Sequence, residues 1–187
     1  MALPKYIFDS GGNVKDYGRH FALFLEHAEQ GDSTAQSMVA YCYLKGLGVK
    51  RNRAMARAWL LKAARNGNVE AMSNLGLVFE VGHGVPADRR RAMRWYRMAA
   101  RLGDTFAQVN LGLMYLSGSG SRRNHIQGVE WLRKAVKRNN PKAVYNLGLA
   151  YLRGDGVKES RKTAERYIRK AAELGDEDAV AYIAAEN

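Results

Sequence analysis

The chain repeats with a single period of 36 residues, and no insertion interrupts it. Ala35, Ala71, Ala107, Ala143 and Ala179 stand 36 residues apart, and Trp59, Trp95, Trp131 and Tyr167 keep the same step. So do Tyr43, Phe79, Tyr115 and Tyr151, and the glycine pairs Gly46/Gly48, Gly82/Gly84, Gly118/Gly120 and Gly154/Gly156. Self-similarity at a step between about 20 and 50 residues marks stacked supersecondary units, none of which can bury its apolar face alone. The period divides the chain into four full units, 31–66, 67–102, 103–138 and 139–174, with partial units at 1–30 and 175–187.

Each unit reads as two antiparallel helices, A and B. In the first unit Ala35, Val39 and Tyr43 recur at i, i+4 and i+8, one face of a helix over Ser33–Lys45. Gly46-Leu47-Gly48-Val49 ends it, because glycine takes the left-handed cap conformation that other residues resist. Helix B follows over Arg53–Arg65, with Ala56, Trp59, Leu60, Ala63 and Ala64 pointing inward. Three prolines against frequent Ala and Leu favour helix over sheet, so the predicted class is all-α. Units join at Gly31-Asp32, Gly67-Asn68, Gly103-Asp104 and Gly175-Asp176: Gly closes one helix, and the acidic or amide side chain caps the next. Asn139-Asn140-Pro141 replaces this junction once, and Asn tolerates the left-handed turn. At the ends, Tyr17–Gln30 reads as a capping helix B carrying Phe21, Phe24, Leu25 and Ala28, and Asp176–Ala185 as a closing helix A. Residues 1–15, with Gly11-Gly12, are expected to form a partly ordered lead-in from which Tyr6, Ile7 and Phe8 could pack on the first helix.

These residues resemble the Sel1-like repeat, a relative of the tetratricopeptide repeat. The resemblance rests on Ala-x-x-x-Leu-Gly-x-x-Tyr-x-x-Gly-x-Gly-Val followed by Ala-x-x-Trp-x-x-x-Ala-Ala. It is clearest over Gln108–Leu116 and Tyr145–Leu152, and it covers residues 31–174. Val39-Ala40 departs from Leu-Gly, and Ser121, Gly128 and Val136 depart in the third unit; these changes are expected to loosen one interface slightly. The resemblance implies a right-handed α–α superhelix, with helices A lining a concave face used for protein interaction.

No enzyme chemistry emerges from the pattern. A dinucleotide fingerprint needs three glycines after a strand, whereas every glycine pair here follows a helix and recurs in each unit. His20, His27, His83 and His125 occupy different repeat positions, with neither HExxH spacing nor a zinc cluster. Cys42 shares its position with Val78, Met114 and Ala150, which marks a packed small side chain rather than a nucleophile. No base, nucleophile and orienting group come together, so the reading is of a non-enzyme without metal or cofactor. A lone cysteine and the lack of a leader predict a reducing compartment, the cytoplasm, and no run is long enough to cross a membrane.

Two surfaces are candidates for binding. By the Leu-Gly-x-x-Tyr register, helix A presents Asn74, Asn110 and Asn146 to the groove. Beside them stand Tyr41, Leu77, Leu113 and Leu149, and one residue before the last two asparagines come Val109 and Tyr145. An amide offers one acceptor and two donors, matching the backbone of an extended peptide, while the leucines take apolar side chains. This resembles the asparagine ladder of some tetratricopeptide proteins. The second surface is basic. The net charge of +12 is spread over all four repeats, while the C-terminal segment is acidic. Three rows recur on helix B: Arg97, Arg133 and Arg169; Lys62, Lys134 and Lys170; and Arg65, Arg101 and Lys137. These rows suit solvent or an acidic protein partner. Nucleic acid or an anionic surface is the alternative, weakened because the helix-B tryptophans sit at core positions and offer no stacking platform. The expected function is an adaptor or scaffold that takes a protein or peptide in its groove.

Overall fold

The structure, a computed structural model, describes residues 17–186. The lead-in over 1–15, with the packing expected of Tyr6, Ile7 and Phe8, lies outside the described residues. The described residues are all-helical: α1 (Tyr17–Glu29), α2 (Ser33–Lys45), α3 (Arg53–Arg65), α4 (Val69–Val81), α5 (Arg89–Arg101), α6 (Thr105–Ser117), α7 (His125–Val136), α8 (Pro141–Arg153), α9 (Arg161–Glu173) and α10 (Glu177–Glu186). Even-numbered helices are type A and odd-numbered ones type B. They divide into two units, α1–α4 with the loop through Ala87, and α5–α10 from Asp88 onward. Within each unit every helix packs on the next in chain order.

Local chemistry sets the boundaries. Asp32, Asn68, Asp104 and Asn140 each accept a hydrogen bond from the backbone N–H three residues on, the N-cap geometry expected for helix A. Asn52, Asp88, Asn124 and Ser160 cap helix B in the same way. This second set also keeps the 36-residue step, a signal present in the sequence and missed there. Gly46, Gly82, Gly118 and Gly154 close the even helices in the left-handed region. Asn139 takes the same region with φ 52°, as the exceptional junction requires.

The core follows the period residue by residue. Helix A buries Val39, Leu75, Leu111 and Leu147, and helix B buries Leu60, Tyr96, Leu132 and Ile168, none more than 2% exposed. Each such aliphatic burial stabilises by about 1.5–3 kcal/mol. Ala56, Trp59, Leu60, Ala63 and Ala64 are the buried residues of α3, as expected. In the third repeat Gly128 and Val136 stand where the other repeats carry alanine. A Cβ on Gly128 would lie 2.7 Å from Leu116 Cγ and 3.0 Å from the Gly112 carbonyl, so the missing methyl lets α6 and α7 approach. Val136, larger than the usual Ala, packs against three core clusters of the second unit.

The second glycine of each pair has a different task from the first. A Cβ at Gly48 would lie 2.0 Å from the Tyr17 carbonyl oxygen, and one at Gly156 would lie 2.4 Å from that of His125. A Cβ at Gly120 would likewise lie 2.5 Å from the Arg89 carbonyl oxygen, whereas one at Gly84 would lie 2.8 Å from the Arg53 side-chain Cβ. Tyr17, Arg53, Arg89 and His125 are the first residues of α1, α3, α5 and α7. Each loop therefore lies on the start of the preceding repeat's helix B, and only glycine lets the backbones approach so closely. Beside Gly156, His125 Nδ1 and Asp155 Oδ1 stand 3.0 Å apart across the same seam.

Candidate functional site

The helix-A positions do not behave alike. In the second unit Asn110 and Asn146 are half-buried, and each Nδ2 donates to the carbonyl four residues earlier, Phe106 at 3.0 Å and Lys142 at 2.8 Å. That bond fixes the amide against its own helix and leaves Oδ1 as the acceptor for anything arriving from outside. Leu113 and Leu149 lie half-buried one turn on and lean on the core. Tyr145 is also half-buried; its phenol pKa is raised by burial and by the Asp178 and Asp176 carboxylates, with Arg153 opposing.

Three expected groove residues need correction. Val109 is 4% exposed and packs with Leu132, Ala135 and Ala143, so it belongs to the core. Tyr41 is 7% exposed, and burial raises its phenol pKa, with Cys42 and Tyr17 adding to the shift. Asn74, in the first unit, holds its Nδ2 buried without a hydrogen-bond partner, so it lacks the backward bond of the other two asparagines. The period gave these side chains their register, and neighbouring bulk decided their burial. Leu77 is 37% exposed beside Asn74.

The basic rows are partly structural. Arg97 donates to Tyr115 Oη at 3.0 Å and Arg133 to Tyr151 Oη at 3.3 Å, each tying helix B to the next repeat's helix A. Lys62 Nζ lies 4.0 Å from the ring centre of Trp59, and Lys134 Nζ lies 3.8 Å from that of Trp131. These cations cap core tryptophans that are themselves 6% and 9% exposed. Arg65, Arg101 and Lys137 are exposed, as are Arg169 and Lys170, which share the surface of α9 with Glu165 and Glu173. Sequence reasoning missed the Arg–Tyr and Lys–Trp contacts, although Lys three residues after Trp is legible in two repeats. Cys42 is 4% exposed and burial pushes its thiol up to about 11, which suits a packed side chain. Among the described residues no group of three or more His, Cys, Asp and Glu is placed to hold a metal, and no helix is long and apolar enough to cross a membrane.

A family model described as Sel1 repeat matches residues 33–68, 69–104, 105–140 and 141–176 without a gap. The chain belongs to the Sel1 repeat family. Among solved structures, this Sel1 repeat chain is similar to a protective antigen of uropathogenic Escherichia coli with an SLR fold. The two are 34% identical, with TM-score 0.83, over 89% of this chain and 35% of that one. It is equally similar to a Sel1 repeat protein from Oxalobacter formigenes, at 34% identity and TM-score 0.83, over 90% of this chain and 70% of that one. Cysteine rich protein B of Helicobacter pylori shares the fold alone, at 24% identity and TM-score 0.53, over 67% of this chain and 96% of that one. The chain thus spans about a third of the first of these proteins. No curated protein matches it. The Sel1 repeat fold is generally a protein–protein interaction scaffold and typically non-enzymatic, and this chain repeats it four times over.

Proposed function

We propose that this Sel1 repeat chain is a non-catalytic adaptor that binds a protein or extended peptide along its helix-A face. One observation carries the reading: Asn110 and Asn146, one repeat apart, hold the same backward hydrogen bond and keep the same oxygen unused. Two half-exposed amides in one orientation suit the N–H groups of an extended chain, and Leu113 and Leu149 beside them suit its apolar side chains. In the first unit Leu77 offers an apolar contact without an equivalent amide. Nucleic acid along the basic rows is the weaker reading, because two arginines and two lysines of those rows are engaged with tyrosine hydroxyls and tryptophan rings.

The test is capture from native lysate on the tagged chain, with nuclease treatment and washes at low and high salt. A discrete protein is expected to survive both treatments. Its affinity for Asn110→Ala/Asn146→Ala is expected to fall by about tenfold, while far-UV circular dichroism stays unchanged. Equal binding to that variant removes the helix-A reading. Retention of nucleic acid alone, lost as salt rises, moves the function to the basic rows.

A further inference from the structure

Two helices B carry cations and no carboxylate, α3 with four and α5 with six, and α5 is the more strongly charged. α5, Arg-Arg-Arg-Ala-Met-Arg-Trp-Tyr-Arg-Met-Ala-Ala-Arg, carries six arginines and no acidic residue in 13 positions. α9, at the same place in its repeat, offsets its cations with Glu165 and Glu173, and Arg161 pairs with Glu165 at 3.1 Å. On α5, Arg90, Arg94, Arg97, Met98 and Arg101 fall at i, i+4, i+7, i+8 and i+11, which is one face. Arg90, Arg94 and Arg101 are exposed, Met98 is 46% exposed, and Leu102, just past the helix, is 61% exposed.

The face borders a cleft. Arg90, Arg91, Arg94 and Arg97 form one wall, and Gly120 and Ser121 of the following loop form part of the other. The other repeats place Val49, Val85 and Val157 where Ser121 stands, so this cleft alone has a hydroxyl at that point. The carboxylate at its edge, Asp88, is already engaged: it caps the Arg91 N–H at 2.9 Å and pairs with Arg91 Nε at 3.1 Å. What remains is a set of guanidinium forks beside two apolar side chains. Arginine forks match carboxylates in two-point geometry.

We propose that this face of α5 docks an acidic peptide segment that also carries apolar residues. From Arg90 to Arg101 the stripe is about 16 Å long, the reach of about five residues of extended chain. Glu or Asp side chains pair with Arg90, Arg94 and Arg101, and apolar ones cover Met98 and Leu102. A nucleic acid fits less well, because a phosphate track needs the positive row to continue from helix to helix. In α7 the positions equivalent to Arg90 and Arg94 are Ile126, 64% exposed, and Glu130, also exposed. The charge therefore lapses at two of the four arginine positions, continuing only from Arg97 to Arg133 and from Arg101 to Lys137, and a phosphodiester backbone has nothing to set against Met98.

Fluorescence anisotropy tests this on the full chain with two labelled probes. One is a peptide of about twelve residues built from Glu-Glu-Leu repeats, long enough to overrun the stripe. The other is a single-stranded oligonucleotide of equal charge. The peptide is expected to bind more tightly than the oligonucleotide. Arg90→Glu/Arg94→Glu is expected to weaken the peptide by more than about tenfold, Met98→Ser by about threefold, and Lys158→Glu, at an exposed loop position outside the rows, not at all. If the double charge reversal perturbs the helical signal, Arg90→Gln/Arg94→Gln serves in its place. Unchanged peptide affinity in the arginine variant overturns the proposal. So does an oligonucleotide that binds more tightly than the peptide and ignores Met98→Ser.

Discussion

The glycine seams and the basic rows both recur every 36 residues, yet only the seams recur in the place they touch, the first residue of the preceding helix B. At Gly48, Gly120 and Gly156 the absent Cβ would strike a backbone carbonyl at the start of the preceding helix B, and at Gly84 it would strike the Arg53 side chain there. In the arginine row, Arg97 and Arg133 reach a tyrosine hydroxyl, while the third member, Arg169, lies exposed among glutamates. In the lysine row, Lys62 and Lys134 cap tryptophans, but Met98 takes the equivalent place in the second repeat. A backbone-to-backbone contact leaves one residue type possible. The far end of a long side chain leaves several, so identity can drift there while the fold stays the same.

This contrast can be broken first at the seams. Gly156→Ala must place a methyl against the His125 carbonyl at a residue with φ 71°, whereas Gly175, with φ 86°, has nothing within 4 Å of the added carbon. Chemical denaturation of the full chain is expected to show a loss of about 3 kcal/mol for Gly156→Ala. For Gly175→Ala the loss should be about 1 kcal/mol, the conformational cost alone. Equal losses would mean that dihedral strain, rather than the seam contact, selects glycine.

The rows sharpen the contrast with a smaller effect. Tyr115→Phe removes the acceptor of Arg97 and is expected to cost about 0.5–1 kcal/mol in the same measurement. Tyr43 holds the equivalent position in the first repeat, where its ring packs edge-on to Phe21 at 5.4 Å and Leu25 stands in place of the arginine. Tyr43→Phe is therefore expected to be neutral. A loss at Tyr43 as large as at Tyr115 would assign the tyrosine row to packing and leave the arginines without a structural role.

Sequence legibility follows the same division. The helix boundaries of α2 and α3, the buried residues of α3 and the left-handed Asn139 were all readable, because each depends on periodicity, capping chemistry or a turn that few residues satisfy. The helix-B caps at Asn52, Asp88, Asn124 and Ser160 were equally periodic and were overlooked behind the more conspicuous glycines. The helix-A face was only half legible. Register placed Val109 and Tyr41 near the asparagines, but their burial depends on what a neighbouring helix sets against them, which no single repeat contains. What faces Gly128, the Gly112 carbonyl and Leu116 of another helix, was not readable from its own segment. The six arginines of α5 could have been counted from the sequence, but which of them are engaged, Arg91 by Asp88 and Arg97 by Tyr115, depends on the fold.

Hydrogen–deuterium exchange of the chain, alone and with the partner captured from lysate, tests most directly the claim that the helix-A face does the binding. Protection on binding is expected in α6 and α8, around Asn110–Leu113 and Asn146–Leu149, with the loops at Gly120 and Gly156 unchanged. A partner that leaves both helices exchanging as in the free chain, and protects α7 and α9 instead, would contradict the account.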